Sequence, residues 1–180
     1  MCCGASAAIL LALPGTYNDG GVIKNCKAGT YSPAAGANEC LKCAEGSIAW
    51  VGASMCMTCP AGMFYVSESR CDRCPAGQYT AVESAKACLK CPAGHSSSMG
   101  SSSCSRCPKG HFSVSGGECT QCPQGHYADS EGSTTCTKCP VKTASAAVGA
   151  TSKDTCVSCA NQHRIRFTPA GSAVCLKPPK

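Results

Sequence analysis

Residues 74–91 read CPAGQYTAVESAKACLKC, one complete copy of the unit that decides the fold. The proline after the first cysteine fixes its own φ angle and favours a turn. Gly77 supplies a backbone conformation that other residues resist. The ring of Tyr79 is the one large apolar group that so short a loop can pack on its cystine. Polar residues then suit a hairpin tip that faces water, so each loop is predicted to form two short strands.

The same unit recurs along most of the chain. A single Cys26 is followed by eight CxxC doublets and then by a single Cys175. As far as Cys139 the loop lengths repeat every three loops, and CLKC at Cys40 recurs as CLKC at Cys88 and CTKC at Cys136. This super-repeat of about 48 residues has a period typical of tandem repeat proteins. The predicted fold class is therefore a small disulfide-rich protein, an elongated tandem array of short β-hairpin loops with little or no helix and no conventional core.

The regularity of the repeat divides the chain into three segments. The last two loops, 140–155 and 160–174, are longer than all those before them, as is typical of diverged terminal repeats. We predict an N-terminal segment over 1–25 that is a signal or an eroded repeat, regular cysteine-rich repeats over 26–140, and diverged repeats with a tail over 141–180.

The composition leaves disulfides as the source of stability. Leu, Ile, Val and Phe together number 22 of 180 residues, too few for an ordinary core. Ordering a residue costs about 1 to 2 kcal/mol of backbone entropy, so such a chain is either disordered or cross-linked. The 20 cysteines favour cross-linking in an oxidising compartment, so we expect a secreted or cell-surface protein. No apolar stretch reaches the length of about 18 residues that a membrane span needs, and none is expected.

The repeat narrows the disulfide pairing without fixing it. In a consecutive scheme the second cysteine of each doublet bridges to the first cysteine of the next, and no cysteine from Cys26 onward is left over. In the main rival scheme neighbouring doublets interlock, first to third and second to fourth. An eroded copy favours the consecutive scheme, because counting back one super-repeat from Cys59 reaches Leu11. The same step from Cys71 reaches Ile23, so both partners of one bridge are missing together.

Eighteen cysteines are thus predicted disulfide sites, each bridge contributing about 3 kcal/mol by the chain-entropy model. Cys2 and Cys3 lie outside the scheme. The eighteen are Cys26, Cys40, Cys43, Cys56, Cys59, Cys71, Cys74, Cys88, Cys91, Cys104, Cys107, Cys119, Cys122, Cys136, Cys139, Cys156, Cys159 and Cys175.

Two other uses of paired cysteines fit the sequence less well. Doublets about 12 residues apart also suit an intracellular zinc array, but with four sites two cysteines are left over. A redox dithiol requires a helix start beside the doublet, and nothing helical surrounds these eight. We expect no metal and no cofactor.

The remaining residues offer no catalytic arrangement. His95, His111 and His126 each stand just after a loop glycine, a place that Thr30 and Gln78 fill in other loops. We interpret it as an exposed, variable position. No Ser, His and Asp arrangement stands out among the ten acidic residues, so we expect that the protein is not an enzyme.

A row of basic residues is the one candidate binding feature. The net charge of +6 is spread out, but five doublets carry Lys or Arg just before their second cysteine. Lys42, Lys90 and Lys138 stand one super-repeat apart and are candidate polyanion-binding residues, whereas Arg73 and Arg106 do not share this regularity. An acidic polysaccharide fits such a row. Solubility is the alternative explanation, and no nucleic-acid partner is expected.

The run Cys-Pro-x-Gly-x-Tyr/Phe, followed by about ten polar residues and CxxC, resembles the ephrin-receptor-like cysteine-rich repeat. More distantly it resembles the cysteine-rich module of tumour-necrosis-factor receptors. The resemblance covers about 26–159, and in the quoted unit it is carried by Cys74, Pro75, Gly77, Tyr79, Cys88 and Cys91.

The resemblance implies an extracellular module without specifying its task. Our first hypothesis is a structural or adhesive component of a coat, matrix or appendage, with other extracellular proteins or further copies of the chain as partners. The alternatives are a ligand-binding receptor ectodomain fragment and, third, the intracellular zinc array. A receptor should carry a loop that departs from the repeat, and only Trp50 and the segment 163–167 do so.

Overall fold

The structure, a computed structural model, describes residues 11–159 and 168–176. Nine antiparallel hairpins follow one another along this part of the chain, and its single helical element is the 3-10 turn Lys153–Thr155. The hairpins pair β1 (Thr16–Asp19) with β2 (Val22–Asn25), β3 (Thr30–Tyr31) with β4 (Leu41–Lys42), β5 (Ser47–Ile48) with β6 (Met57–Thr58), β7 (Met63–Ser67) with β8 (Arg70–Arg73), β9 (Gln78–Tyr79) with β10 (Leu89–Lys90), β11 (His95–Ser96) with β12 (Ser105–Arg106), β13 (His111–Phe112) with β14 (Thr120–Gln121), β15 (His126–Tyr127) with β16 (Thr137–Lys138), and β17 (Thr143–Ala144) with β18 (Val157–Ser158). The predicted disulfide-rich hairpin fold is confirmed. In the described ranges no helix has the length and hydropathy to cross a membrane.

Six of the nine hairpins join the two residues after a loop glycine to the two residues inside the next doublet. The strand β17 follows Lys142 instead of a glycine, and β1–β2 and β7–β8 are longer. In the quoted unit Gln78 pairs with Lys90 and Tyr79 pairs with Leu89. The amide of Cys91 then donates to the carbonyl oxygen of Gly77 over 2.9 Å and closes the hairpin. The CxxC spacing is therefore the length of one two-residue strand with a cysteine at either end.

Nine disulfides close the loops in the consecutive pattern, and their Cα atoms lie 5.5–5.8 Å apart. The sulfurs of these eighteen cysteines are consequently bonded to sulfur and are not free thiolates. The bridges are Cys26–Cys40, Cys43–Cys56, Cys59–Cys71, Cys74–Cys88, Cys91–Cys104, Cys107–Cys119, Cys122–Cys136, Cys139–Cys156 and Cys159–Cys175.

Three backbone hydrogen bonds join a loop to the next one. In the loop that opens at Cys107, the Gly110 amide donates to the carbonyl oxygen of Ala128 over 2.8 Å, and the Ser113 amide donates to that of Ser133 over 3.1 Å. The Gly132 amide of the next loop donates back to Cys107 over 2.8 Å. The loops that open at Cys26 and Cys122 make the same three bonds with their successors. Because these bonds involve only main-chain groups, the side chains around them are free to vary.

The interior of a loop consists of its cystine and one small residue. The cysteine that opens a loop is buried in every bridged loop except the one that begins at Cys43. The third residue after the loop glycine is small and buried in five loops, where it is Ser32, Ala49, Thr80, Ser113 or Ala128. The described aromatic rings are half-buried except for the exposed Trp50, and Ile48 is the one large aliphatic residue buried in the described chain. Disulfides and main-chain bonds therefore replace the missing core.

The hairpin β1–β2 is an unbridged copy of β7–β8. The structure corrects which residue of this copy takes the place of Cys59. Counting back one super-repeat puts Leu11 in the place of Cys59, whereas the structure puts Ala12 there. Ala12 is 1% exposed, and its carbonyl oxygen accepts from the Gly36 amide over 2.7 Å, as Cys59 accepts from the Ser84 amide over 2.8 Å. The shift of one residue arises because β7 contains a bulge between Tyr65 and Ser67 that β1 lacks.

Contacts within the described chain group into two units. The first holds the residues up to Arg73 together with Val82–Ala87, and the second holds Cys74–Ala81 with the residues from Cys88 onward. Each unit has the same loop-to-loop hydrogen bonds, so the repeat geometry is common to both.

Mass spectrometry tests the bridges directly. The intact unreduced protein should weigh about 18 Da less than the all-thiol form, because each of the nine bridges removes two hydrogens. Proteolysis without reduction should yield Cys74 linked to Cys88 and Cys122 linked to Cys136. Recovery of Cys71 linked to Cys88, or of free thiols with stoichiometric zinc, would contradict this pattern.

A single methyl group at the loop glycine tests the stacking. Gly94 has a φ of +75°, and a β-carbon there would overlap the carbonyl oxygen of Gly132. Gly94→Ala should lower the free energy of unfolding by more than about 2 kcal/mol, because a left-handed conformation alone costs an L-residue about 1 to 2 kcal/mol. The control is Gly117→Ala, since nothing lies within 4 Å of a β-carbon on Gly117. Equal unfolding midpoints for the two oxidised variants in urea would disprove the close packing.

Candidate polyanion-binding site

The basic residues of the doublets share one position in the hairpin. Each ends the second strand and pairs across the hairpin with the residue that follows the loop glycine. The pairs are Thr30 with Lys42, Met63 with Arg73, Gln78 with Lys90, His95 with Arg106, and His126 with Lys138. All five basic side chains are exposed. The row predicted from the sequence is thus one repeated structural position.

The aliphatic part of such a side chain packs on a glycine at the tip of a later loop. A β-carbon on Gly132 would lie 3.7 Å from the Cγ and Cδ atoms of Arg106. A β-carbon on Gly171 would likewise lie 3.3 Å from the Cγ atom of Lys138. The stem covers backbone while the charged group stays in water.

Equal spacing in the sequence does not give the three lysines equal surroundings. Lys42 borders a groove of about 460 Å³ whose lining also includes Glu45 and Glu68. The Nζ atom of Lys86 donates to Glu45, which lowers the pKa of the Glu45 carboxyl and offsets its charge. Glu68 remains as a negative group beside Lys42. This lysine is therefore a weaker contributor to anion binding than its position in the row suggests.

Lys90 and Lys138 lie in the second unit, whereas these carboxylates belong to the first. The Cε1 atom of His126 lies 3.3 Å from a β-carbon position on Gly171, the same distance as the Cγ atom of Lys138, so the two side chains are neighbours. Within residues 11–159 and 168–176, none of the three lysines forms an ion pair. Their charges are therefore available to a ligand.

The histidines that follow the loop glycines, at the place interpreted as exposed and variable, are half-buried. Each ring turns back on its own loop, where its Nδ1 atom meets a backbone carbonyl. The distances are 3.1 Å from His95 to Ala93 and 3.1 Å from His126 to Gln124. In the described part of the chain, no three His, Cys, Asp or Glu side chains come together in an arrangement that would hold a metal.

One polar groove was missed by the sequence analysis, which interpreted the polar stretch of each loop only as a hairpin tip that faces water. The structure places serines of this stretch beside Arg106 and Glu118 in a single groove. The six serines between positions 96 and 103, followed by an arginine, were the available signal.

Comparison with known proteins agrees with the resemblance seen in the sequence. The model of the family described as "Tyrosine-protein kinase ephrin type A/B receptor-like" matches residues 62–99 and 110–156. No curated protein matches the chain. The family match, together with the run of disulfides, indicates an extracellular receptor-type cysteine-rich module.

Charge reversal along the row tests whether its position matters. Changing Lys42, Lys90 and Lys138 to Glu should reduce retention on a dextran sulfate column at low salt. The effect should fade as salt rises, because each exposed ion pair contributes less than about 1 kcal/mol and is screened.

The matched control changes Lys27, Lys109 and Lys153 to Glu. These lysines are exposed but lie outside the row, and either triple change takes the net charge from +6 to 0. We expect the control to retain more binding than the row variant. Identical elution of the two variants would show that retention depends on net charge alone and not on the position of the lysines in the row.

Proposed function

We propose that the chain is an extracellular structural or adhesive module without catalytic activity, because residues 62–99 and 110–156 match the ephrin-receptor-like family. The observation that carries the proposal is the pattern of nine disulfides on a chain with almost no buried aliphatic side chains. Such a chain depends on bridges that persist only in an oxidising environment. Its partners are other extracellular proteins, further copies of the chain, or acidic polysaccharide.

The stacking of the loops supports a structural role. Every described loop except that of β1–β2 carries its own bridge, and the loops bond to their successors through main-chain groups, so loops add to a unit without a shared core. Hairpin tips and the basic position remain on the surface, where contacts with a matrix would be made.

A ligand-binding receptor ectodomain is the second candidate, and one observation favours it. Trp50 is 54% exposed and borders an apolar groove of about 360 Å³ with Ile48, Met57 and Met63. Exposed aromatic residues with methionines are typical of protein-binding surfaces.

Surface labelling of the source cells tests the extracellular proposal. Antibodies against the folded, oxidised protein should label intact, unpermeabilised cells or their coat fraction. A membrane-impermeant maleimide should find none of the eighteen bridged cysteines reactive until a reductant is added. Labelling only after permeabilisation, with reactive thiols, would favour the intracellular zinc array instead. Release of a specific bound protein from the cell surface, abolished by Trp50→Ala, would favour the receptor alternative.

A further inference from the structure

The second unit contains a groove of about 560 Å³ that the repeat scheme does not explain. Its lining combines serines between Ser96 and Ser105 with two charged residues, Arg106 and Glu118. Ala76 and Pro108 add a small apolar part. A surface with hydroxyls, one cation and one carboxylate suits a ligand that is itself rich in hydroxyls and carries a negative charge.

Arg106 is the one cationic group in the lining of this groove. Within the described residues its guanidinium forms no ion pair, and its stem is held against Gly132. A guanidinium presents its donors in a planar fork that matches a carboxylate in a bidentate manner. Arg106 is therefore positioned to bind one carboxylate of a ligand.

The serines of the groove divide into structural and available hydroxyls. The Oγ atom of Ser97 donates to the carbonyl oxygen of Gln78 over 2.8 Å and fixes this loop to its neighbour. The hydroxyls of Ser98, Ser101 and Ser103 form no hydrogen bond within the described chain. Each can both donate and accept, as the hydroxyls of a sugar ring require.

The disulfide Cys91–Cys104 encloses most of these serines in one closed loop. The loop is also bonded to its neighbours through the amides of Gly94 and Gly100, which donate to Ser113 and Cys74 over 2.8 and 2.7 Å. Binding therefore orders little additional backbone, which reduces the entropic cost of association.

Glu118 narrows the ligand class. Its carboxylate accepts hydrogen bonds from ring hydroxyls, but it repels a polymer that carries several sulfates on each sugar. A saccharide with a single carboxylate on each residue and free hydroxyls satisfies both Arg106 and Glu118.

We propose that this groove binds a uronic-acid oligosaccharide, with Arg106 on a carboxylate and with the free serines and Glu118 on ring hydroxyls. The site rests on the proposed adhesive role and names the class of polymer that the module would hold. It differs from the regular lysine row, because its cation is an arginine that does not recur with the super-repeat.

Titration of the full oxidised chain with hexagalacturonate tests the site. Arg106→Gln should raise Kd roughly tenfold or more, since the lost hydrogen bonds join charged groups. Arg73→Gln is the matched control, because Arg73 occupies the same strand position and carries the same charge but lies outside the groove. It should leave Kd unchanged. The methyl-esterified hexamer keeps its hydroxyls and loses its charge, and it should bind wild type as weakly as the free acid binds the Arg106 variant.

Four results would overturn the proposal. The first is an equal loss of uronate affinity in the Arg106→Gln and Arg73→Gln variants, and the second is an equal affinity of the wild-type protein for the free acid and the methyl ester. The third is Arg106-dependent binding of dextran sulfate that is tighter than binding of the uronate. The fourth is no binding of the wild-type protein at millimolar uronate. Unreduced mass and urea unfolding verify that each variant is folded. Surface labelling of the source cells does not depend on Arg106, so failure of this site leaves the extracellular proposal standing.

Discussion

The conformation of the loop glycine is the constraint from which the stacking of the loops follows. At Gly77, Gly110 and Gly125 the backbone has a φ of 76° to 79°, where L-residues with a β-carbon are strained. In this conformation the glycine amide donates to the next loop, while its carbonyl oxygen accepts from the cysteine that opens that loop. The same glycine lies against the tip of the loop after next. A β-carbon on Gly77, for example, would lie only 2.7 Å from the carbonyl oxygen of Gly116. One residue therefore fixes contacts with two successive loops.

Because the stack is built from main-chain atoms, the exposed positions of the hairpin are free to differ. The place after the glycine holds Thr30, Met63, Gln78 and His95 on closely similar backbones. The cross-strand position likewise accepts lysine, arginine or an uncharged residue. Binding properties can thus change from loop to loop while the scaffold stays constant. The groove beside Arg106 and the apolar groove beside Trp50 are two such local differences.

The hairpins were predictable because each local signal in the sequence acts within one loop. The turn of Cys74-Pro75, the left-handed Gly77 and the two-residue strand inside the doublet require no distant information. The small buried residues Ser32, Thr80 and Ala128 recur at the interval of the super-repeat and could also have been predicted from the sequence. The groove could not, because it combines Ala76, Ser96 and Glu118 from three different loops, and no spacing rule relates their side chains. The substitution of Ala12 for a cysteine was missed for another reason, since the missing bulge shifts the register by one residue.

The consecutive bridges determine how this chain responds to tension. A force applied along the backbone passes through the sulfur–sulfur bond of each loop and not around the loop itself. The bridged cysteines are separated by 12 to 17 residues in sequence, a length that would extend to roughly 40 to 60 Å, but their Cα atoms remain 5.5–5.8 Å apart. The loops cannot lengthen until a covalent bond is reduced. Among the described hairpins only β1–β2 has no disulfide that closes its loop, so under tension this is the one described hairpin loop that can lengthen without reduction of a covalent bond.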